Sequence, residues 1–108
     1  MKKIYISGPV TGMPNENRHA FEAAAVRLNQ LGFDPIIPHH HVSPWDTWEE
    51  SMRSRIRVMM DADAVFTLDG CDRSNGARVE IDLAGNIGIP VFNTVGDMAA
   101  YFVRRVDA

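Results

Sequence analysis

Glu80 is the residue whose setting most invites chemistry. Its helical neighbours three and four positions away are Gly76, Ala77, Leu83 and Ala84, all small or apolar. Arg78 and Asp82 stand four apart on another face, where they can pair in water. No cation therefore stands one turn from Glu80 on its own helix. A carboxylate on a packing face costs free energy unless donors reach it, which makes Glu80 a candidate catalytic group. The alternative is a glutamate at the margin of the apolar stripe that simply reaches water. Ser74-Asn75-Gly76 opens the same helix with a hydroxyl, free backbone N–H groups and a residue without a β-carbon. Such a start attracts anions, although a plain serine N-cap has the same look.

A second group lies near the beginning of the chain. Tyr5-Ile6-Ser7-Gly8-Pro9-Val10-Thr11-Gly12 runs from a strand into a loop. Gly8 and Gly12 there allow a ligand to approach the backbone. His39-His40-His41 invites a metal reading, but three side chains on an extended segment alternate in direction and do not converge on one ion. Contact with a ligand suits His39 better, because it follows the second strand. Trp45 and Trp48 flank the start of the second helix, where they could stack on a planar ligand, seal a subunit interface or pack in the ordinary way. Cys71 has no histidine beside it in sequence and is a poor candidate nucleophile.

These groups need elements to position them. Lys3–Ser7 reads as a strand stopped by Gly8-Pro9, followed by a loop from Val10 to Glu16. Asn17 is expected to cap a helix to about Leu31, with Phe21, Ala24, Ala25, Leu28 and Leu31 on its apolar stripe and Gly32 ending it. Pro35-Ile36-Ile37 reads as a short strand and His39 to Asp46 as a loop. Thr47 caps a second helix to about Asp61, with Met52, Ile56 and Met59-Met60 facing inward. Ala64–Leu68 is an apolar run suited to a central strand. After a loop from Asp69 to Arg73, Ser74 caps a third helix to about Asn86. A last strand, Ile89–Asn93, and a last helix, Gly96 to Val106, complete the pattern.

Strands alternating with helices predict an α/β fold of the flavodoxin-like, Rossmann-like kind. Its parallel sheet has the order 2-1-3-4 and helices on both faces. Ligands of such sheets sit beyond the carboxyl ends of the first and third strands. Those ends carry the Gly8–Glu16 and Asp69–Ser74 loops.

The 108 residues suffice for one domain, 1–108, and one core. A net charge of −3 shows no basic excess and argues against duplex nucleic acid as a partner. No apolar run has the length of a membrane span, and the opening Met1-Lys2-Lys3 lacks the features of a secretory signal. One cysteine fits a reducing compartment. The expectation is a cytoplasmic protein with a small-molecule ligand and no cofactor.

The Tyr5–Gly12 stretch followed by Asn17 and Phe21, and Asp63-Ala64-Val65 leading to Ser74-x-Gly76-Ala77-x-x-Glu80, together resemble the nucleoside 2-deoxyribosyltransferase superfamily. That group includes the 2′-deoxynucleoside 5′-phosphate N-hydrolases, and the likeness runs from Ile4 to about Val91. It implies Glu80 as the nucleophile that attacks C1′ of the sugar, with Tyr5 hydrogen-bonded to its carboxylate. It also implies that Gly8, Pro9, Val10, Thr11 and Gly12 contact sugar and base, with Asn17 close by. Ser74 and Gly76 would hold the 5′ end, and a neighbouring subunit would complete the pocket of a homodimer or higher oligomer.

One position departs from the family. Its usual aspartate on the second helix stands eight residues before the aspartate that opens the third strand. Here the latter is Asp63 and the former position holds Arg55. Arg55 could meet a substrate phosphate, mark a domain that binds without cleaving, or be a solvated member of the run Arg53, Arg55, Arg57. The functions in view are therefore an enzyme acting at the N-glycosidic bond of a nucleoside or nucleotide, and a nucleotide-binding module without catalysis. Cleavage of a nicotinamide dinucleotide is weaker, since no G-x-G-x-x-G fingerprint is present.

Overall fold

Alternation along the first strand, β1 (Lys3–Ser7), divides the molecule into two layers. Ile4 and Ile6 point to one face, and Tyr5 and Ser7 to the other. The structure is a computed structural model that describes residues 1–106. The remaining elements are α1 (Arg18–Gln30), β2 (Asp34–Ile36), α2 (Trp48–Met60), β3 (Ala64–Thr67), α3 (Asn75–Asn86), β4 (Val91–Phe92) and α4 (Val95–Val106). The four strands form one parallel sheet in the order β2-β1-β3-β4, as expected for a flavodoxin-like fold. Tyr5 is in register with Ile36 on one side and Val65 on the other, and Ser7 lies beside Thr67.

On one face Ile4, Ile6, Ala64 and Phe66 meet Phe21, Ala25 and Leu28 of α1 and Met98 and Phe102 of α4. On the opposite face Tyr5 and Val65 pack with Met59 of α2 and Ala84 of α3. This second layer is smaller and carries the buried polar groups.

Two helix starts are as the sequence predicts. Thr47 forms a reciprocal capping box with Glu50, and Ser74 Oγ accepts from the Ala77 N–H. Asn17 does not cap through its side chain. It follows Asn15 and Glu16 in the left-handed region, with φ of 58°, 50° and 56° respectively. A side-chain cap needs an extended residue at that position, so its amide cannot turn onto the helix N–H groups. Leu31 and Met60, expected inside, are exposed. Each follows a residue that already faces the core or ends its helix, and the next position turns about 100° away. β4 is shorter than the predicted run because Pro90 has no N–H for the ladder, although its carbonyl accepts from the Val65 N–H.

Candidate active site

Glu80 faces β1 and is 0% exposed. Tyr5 and Ser7, two apart on the strand and so on one face, both reach it. The Tyr5 hydroxyl donates to Oε2 at 2.5 Å and the Ser7 hydroxyl to Oε1 at 2.8 Å. The family resemblance implies Tyr5 as a partner but not Ser7, which the strand's two-residue period puts on the same face.

The missing cation comes from the neighbouring helix. Arg55 of α2 presents a side-on fork, Nε to Oε2 at 3.1 Å and Nη2 to Oε1 at 3.2 Å. Its Nε also lies 3.5 Å from the Tyr5 hydroxyl. Paired N–H groups on paired oxygens are the strongest arrangement available to this ion pair. The solvated reading of Arg55 is thereby corrected, for the residue is only 7% exposed. Burial alone would lower its pKa, but the charge of Glu80 and then the Tyr5 hydroxyl outweigh that, and the guanidinium is held above its ordinary range. Burial, followed by the charge of Glu80, pushes the Tyr5 phenol far above its usual value and keeps it protonated as a donor.

Gly76 has a local task in this arrangement. A β-carbon there would stand 3.2 Å from Met52 Sδ and 3.5 Å from Arg55 Nη1. The bare backbone of α3 thus makes room for the α2 side chains beside it. Gly8 has a comparable role, since a β-carbon would come within 2.9 Å of Leu68 Cβ. Gly12, at φ 81°, turns the loop in open space.

Beside this cluster lies a cavity of about 450 Å³, a size suited to a small organic ligand. Val10 and Thr11 line it from the first loop, Glu16 and Arg18 from the start of α1, and His39 from the turn after β2. Thr47, Trp48, Ser51 and Arg55 line it from α2. Of the residues expected at a site, Val10, Thr11, His39 and Arg55 come together here. Tyr5 and Glu80 lie in the core beneath, in contact with Arg55, and are not part of the lining. Gly8, Pro9, Gly12, Asn17, Ser74 and Gly76 also lie outside it. Thr47, Ser51 and Arg55 stand four apart on one helix face, a spacing legible in the sequence. Trp45, by contrast, is 90% exposed and does not line the cavity.

The three histidines form one turn of 3₁₀ helix with Pro38, not the extended segment expected. Proline at the start of that turn supplies its fixed φ. Only His39 enters the cavity. Its Nε2 lies 2.8 Å from the Glu16 carbonyl and its ring meets Phe21 edge-on at 4.7 Å. Nε2 therefore carries the proton, and Nδ1 is a buried acceptor with no partner among the described residues. Burial lowers the His39 pKa; the hydrogen bond to the Glu16 carbonyl opposes this, and the charges of Arg18 and Arg55 add to the lowering. The left-handed run Asn15–Asn17 brings that carbonyl into place, and an ion pair at 2.8 Å joins Glu16 to Arg18.

Among the described residues no group of three or more histidine, cysteine or acidic side chains is placed to hold a metal. No helix there is long and apolar enough to cross a membrane.

Residues 2–93 match the family described as a domain of unknown function, DUF4406. The chain belongs to this family. Its fold is nucleoside 2-deoxyribosyltransferase-like. Among solved structures it is similar to a 2-desoxiribosyltransferase from Leishmania mexicana, at 18% identity and a TM-score of 0.68 over 85% of this chain and 63% of that one. A 2-deoxyribosyltransferase from Bacillus psychrosaccharolyticus is similar at 22% identity and a TM-score of 0.64, over 82% and 69%. A conserved protein from Enterococcus faecalis V583 gives 21% and 0.64, over 84% and 61%. This DUF4406 chain thus spans less than two thirds of the Leishmania and Enterococcus structures. No curated protein sequence matches it significantly.

Proposed function

We propose that this chain binds a deoxynucleoside or its 5′-monophosphate in the cavity and cleaves or transfers at the N-glycosidic bond. Glu80 is the nucleophile of this reading. The observation that carries it is a core carboxylate fixed by Tyr5 and Ser7 at the end of β1, next to a ligand-sized cavity, in a fold like that of deoxyribosyltransferases.

In the reaction a Glu80 oxygen bonds to C1′ while the C1′–N bond breaks and the base departs with the electron pair. The departing base takes up a proton from water on its nitrogen, and the nucleophile of the second step gives one back to water. Water or a second base then attacks C1′ and releases Glu80. A carboxylate suits this role because its charge stabilises the oxocarbenium character of the transition state. Tyr5 and Ser7 aim the two oxygens, Val10 and Thr11 contact the sugar, and the His39 ring contacts the base. Ser74 and Gly76 act indirectly, by starting α3 and by leaving room for Arg55.

A second reading, a nucleotide-binding module without catalysis, is favoured by one observation. Both Glu80 oxygens are engaged and none of the residue is exposed, so C1′ finds no free face of the carboxylate while Arg55 stays in place. Incubation with deoxynucleosides and their monophosphates, followed by chromatography for free base, separates the two. Release of base that is lost in Glu80→Ala supports the enzyme. Calorimetric binding without release supports the module and overturns the enzymatic reading. The assembly proposed with either is a homodimer or larger, and light scattering that gives a monomer at micromolar concentration overturns it.

A further inference from the structure

Arg55 belongs to two places at once. Its Nε and Nη2 hold Glu80, and the same side chain lines the cavity. The third corner of the guanidinium, Nη1, makes no hydrogen bond among the described residues. One turn earlier on α2, Ser51 also lines the cavity, and its hydroxyl likewise has no partner there. We propose that Arg55 is a latch on Glu80, released by a phosphate dianion seated in the cavity against Arg55 and Ser51. The proposal rests on the reading of the cavity as a nucleoside site and adds what opens the carboxylate.

Charge and contacts carry the argument. Four charged side chains line the cavity. Glu16 is paired with Arg18, and Asp46 accepts from the Ser43 N–H of its own turn. Arg55 is the cation there whose partner, Glu80, lies outside the lining. A phosphate dianion carries twice the charge of a carboxylate and matches the guanidinium fork with two oxygens. It can dock first on Nη1 and then draw the fork across.

Release takes the counter-charge from Glu80, a cost the phosphate contacts must offset, but leaves neither carboxylate oxygen without a hydrogen bond. Glu80 keeps one donor on each oxygen, Tyr5 on Oε2 and Ser7 on Oε1. No β-carbon on Gly76 bears on the Arg55 side chain, and its other neighbour there, Met52, is flexible. With the fork withdrawn, the face that Arg55 covered becomes the face open to C1′. The dianion has two possible sources, the 5′-phosphate of a nucleotide substrate or free phosphate acting beside a nucleoside.

Calorimetry with a deoxynucleoside, its 5′-monophosphate and inorganic phosphate tests the latch, alongside the NMR signal of the Arg55 Nε–H. In the unmodified protein the monophosphate is expected to bind at least about tenfold more tightly than the nucleoside, and Arg55→Lys and Arg55→Gln to reduce that advantage to about threefold or less. The Nε–H signal should move on addition of the phosphate group, a readout that needs no variant. Movement with inorganic phosphate alone assigns the free ion, and movement only with the monophosphate assigns the 5′-phosphate. Either result supports the latch. Equal affinity for nucleoside and monophosphate, or an Nε–H signal that ignores both phosphates, overturns it and leaves the nucleoside site standing. Failure of every nucleoside and nucleotide to bind overturns both.

Discussion

Four side chains from three elements meet at one carboxylate, and their energies are interdependent. Removing one partner of a buried ion pair leaves the other uncompensated, which costs about 3–5 kcal/mol. Arg55→Met is therefore expected to destabilise the protein by roughly that amount in urea unfolding at pH 7. Adding Glu80→Gln to Arg55→Met should recover at least half of the loss, because a neutral amide oxygen can still accept from Tyr5 or Ser7. An additive double variant would show that the pair carries no coupling. Glu80 was legible in the sequence because its helical neighbours are apolar. Arg55 was legible as a departure from the family's aspartate, but its pairing with Glu80 was not, since it sits among Arg53 and Arg57 with no local sign that its partner lies on another helix. Pairing between helices depends on packing, which helical periodicity does not encode.

At the scale of elements, the turn after β1 is shaped by close packing as well as by backbone freedom. Gly8 is followed by Pro9, and its missing β-carbon admits Leu68 at the end of β3. Gly8→Ala is expected to cost about 1–3 kcal/mol, because the new methyl meets the Leu68 Cβ and not a flexible tip. Combining it with Leu68→Gly, which removes every atom of that contact beyond the backbone, should make the Gly8→Ala step nearly free. A cost for Gly8→Ala that is unchanged in the Leu68→Gly background would place the strain in the backbone instead. The strands, the helices and their order were readable from hydrophobic period and turn residues. The start of α1 was not, because Asn17 looks like a cap while three successive left-handed residues aim the Glu16 carbonyl at His39. Tertiary contact decided that conformation against local preference, at a cost of order 1–2 kcal/mol for each residue in that region.

Across the whole molecule, the sheet separates support from chemistry. The layer with α1 and α4 holds the larger apolar core, while the layer with α2 and α3 holds Glu80, Arg55 and one wall of the cavity. His39 spans these parts, with Phe21 of α1 against its ring and Arg18 and Arg55 both acting on its charge. That placement ties global stability to pH. Burial lowers the His39 pKa in the folded chain, so as pH falls below the ordinary value of about 6.5 the unfolded chain takes up a proton that the folded chain resists. The contribution is therefore fully present above pH 6.5 and declines below it. The unfolding midpoint should drop between pH 7.5 and 5.5, above the range in which ordinary carboxylates titrate. His39→Gln, whose amide can still donate to the Glu16 carbonyl, should flatten that slope without abolishing folding at pH 7.5. A slope that is identical in the variant would assign the pH dependence to another group and would mean that His39 titrates alike in the folded and unfolded chain.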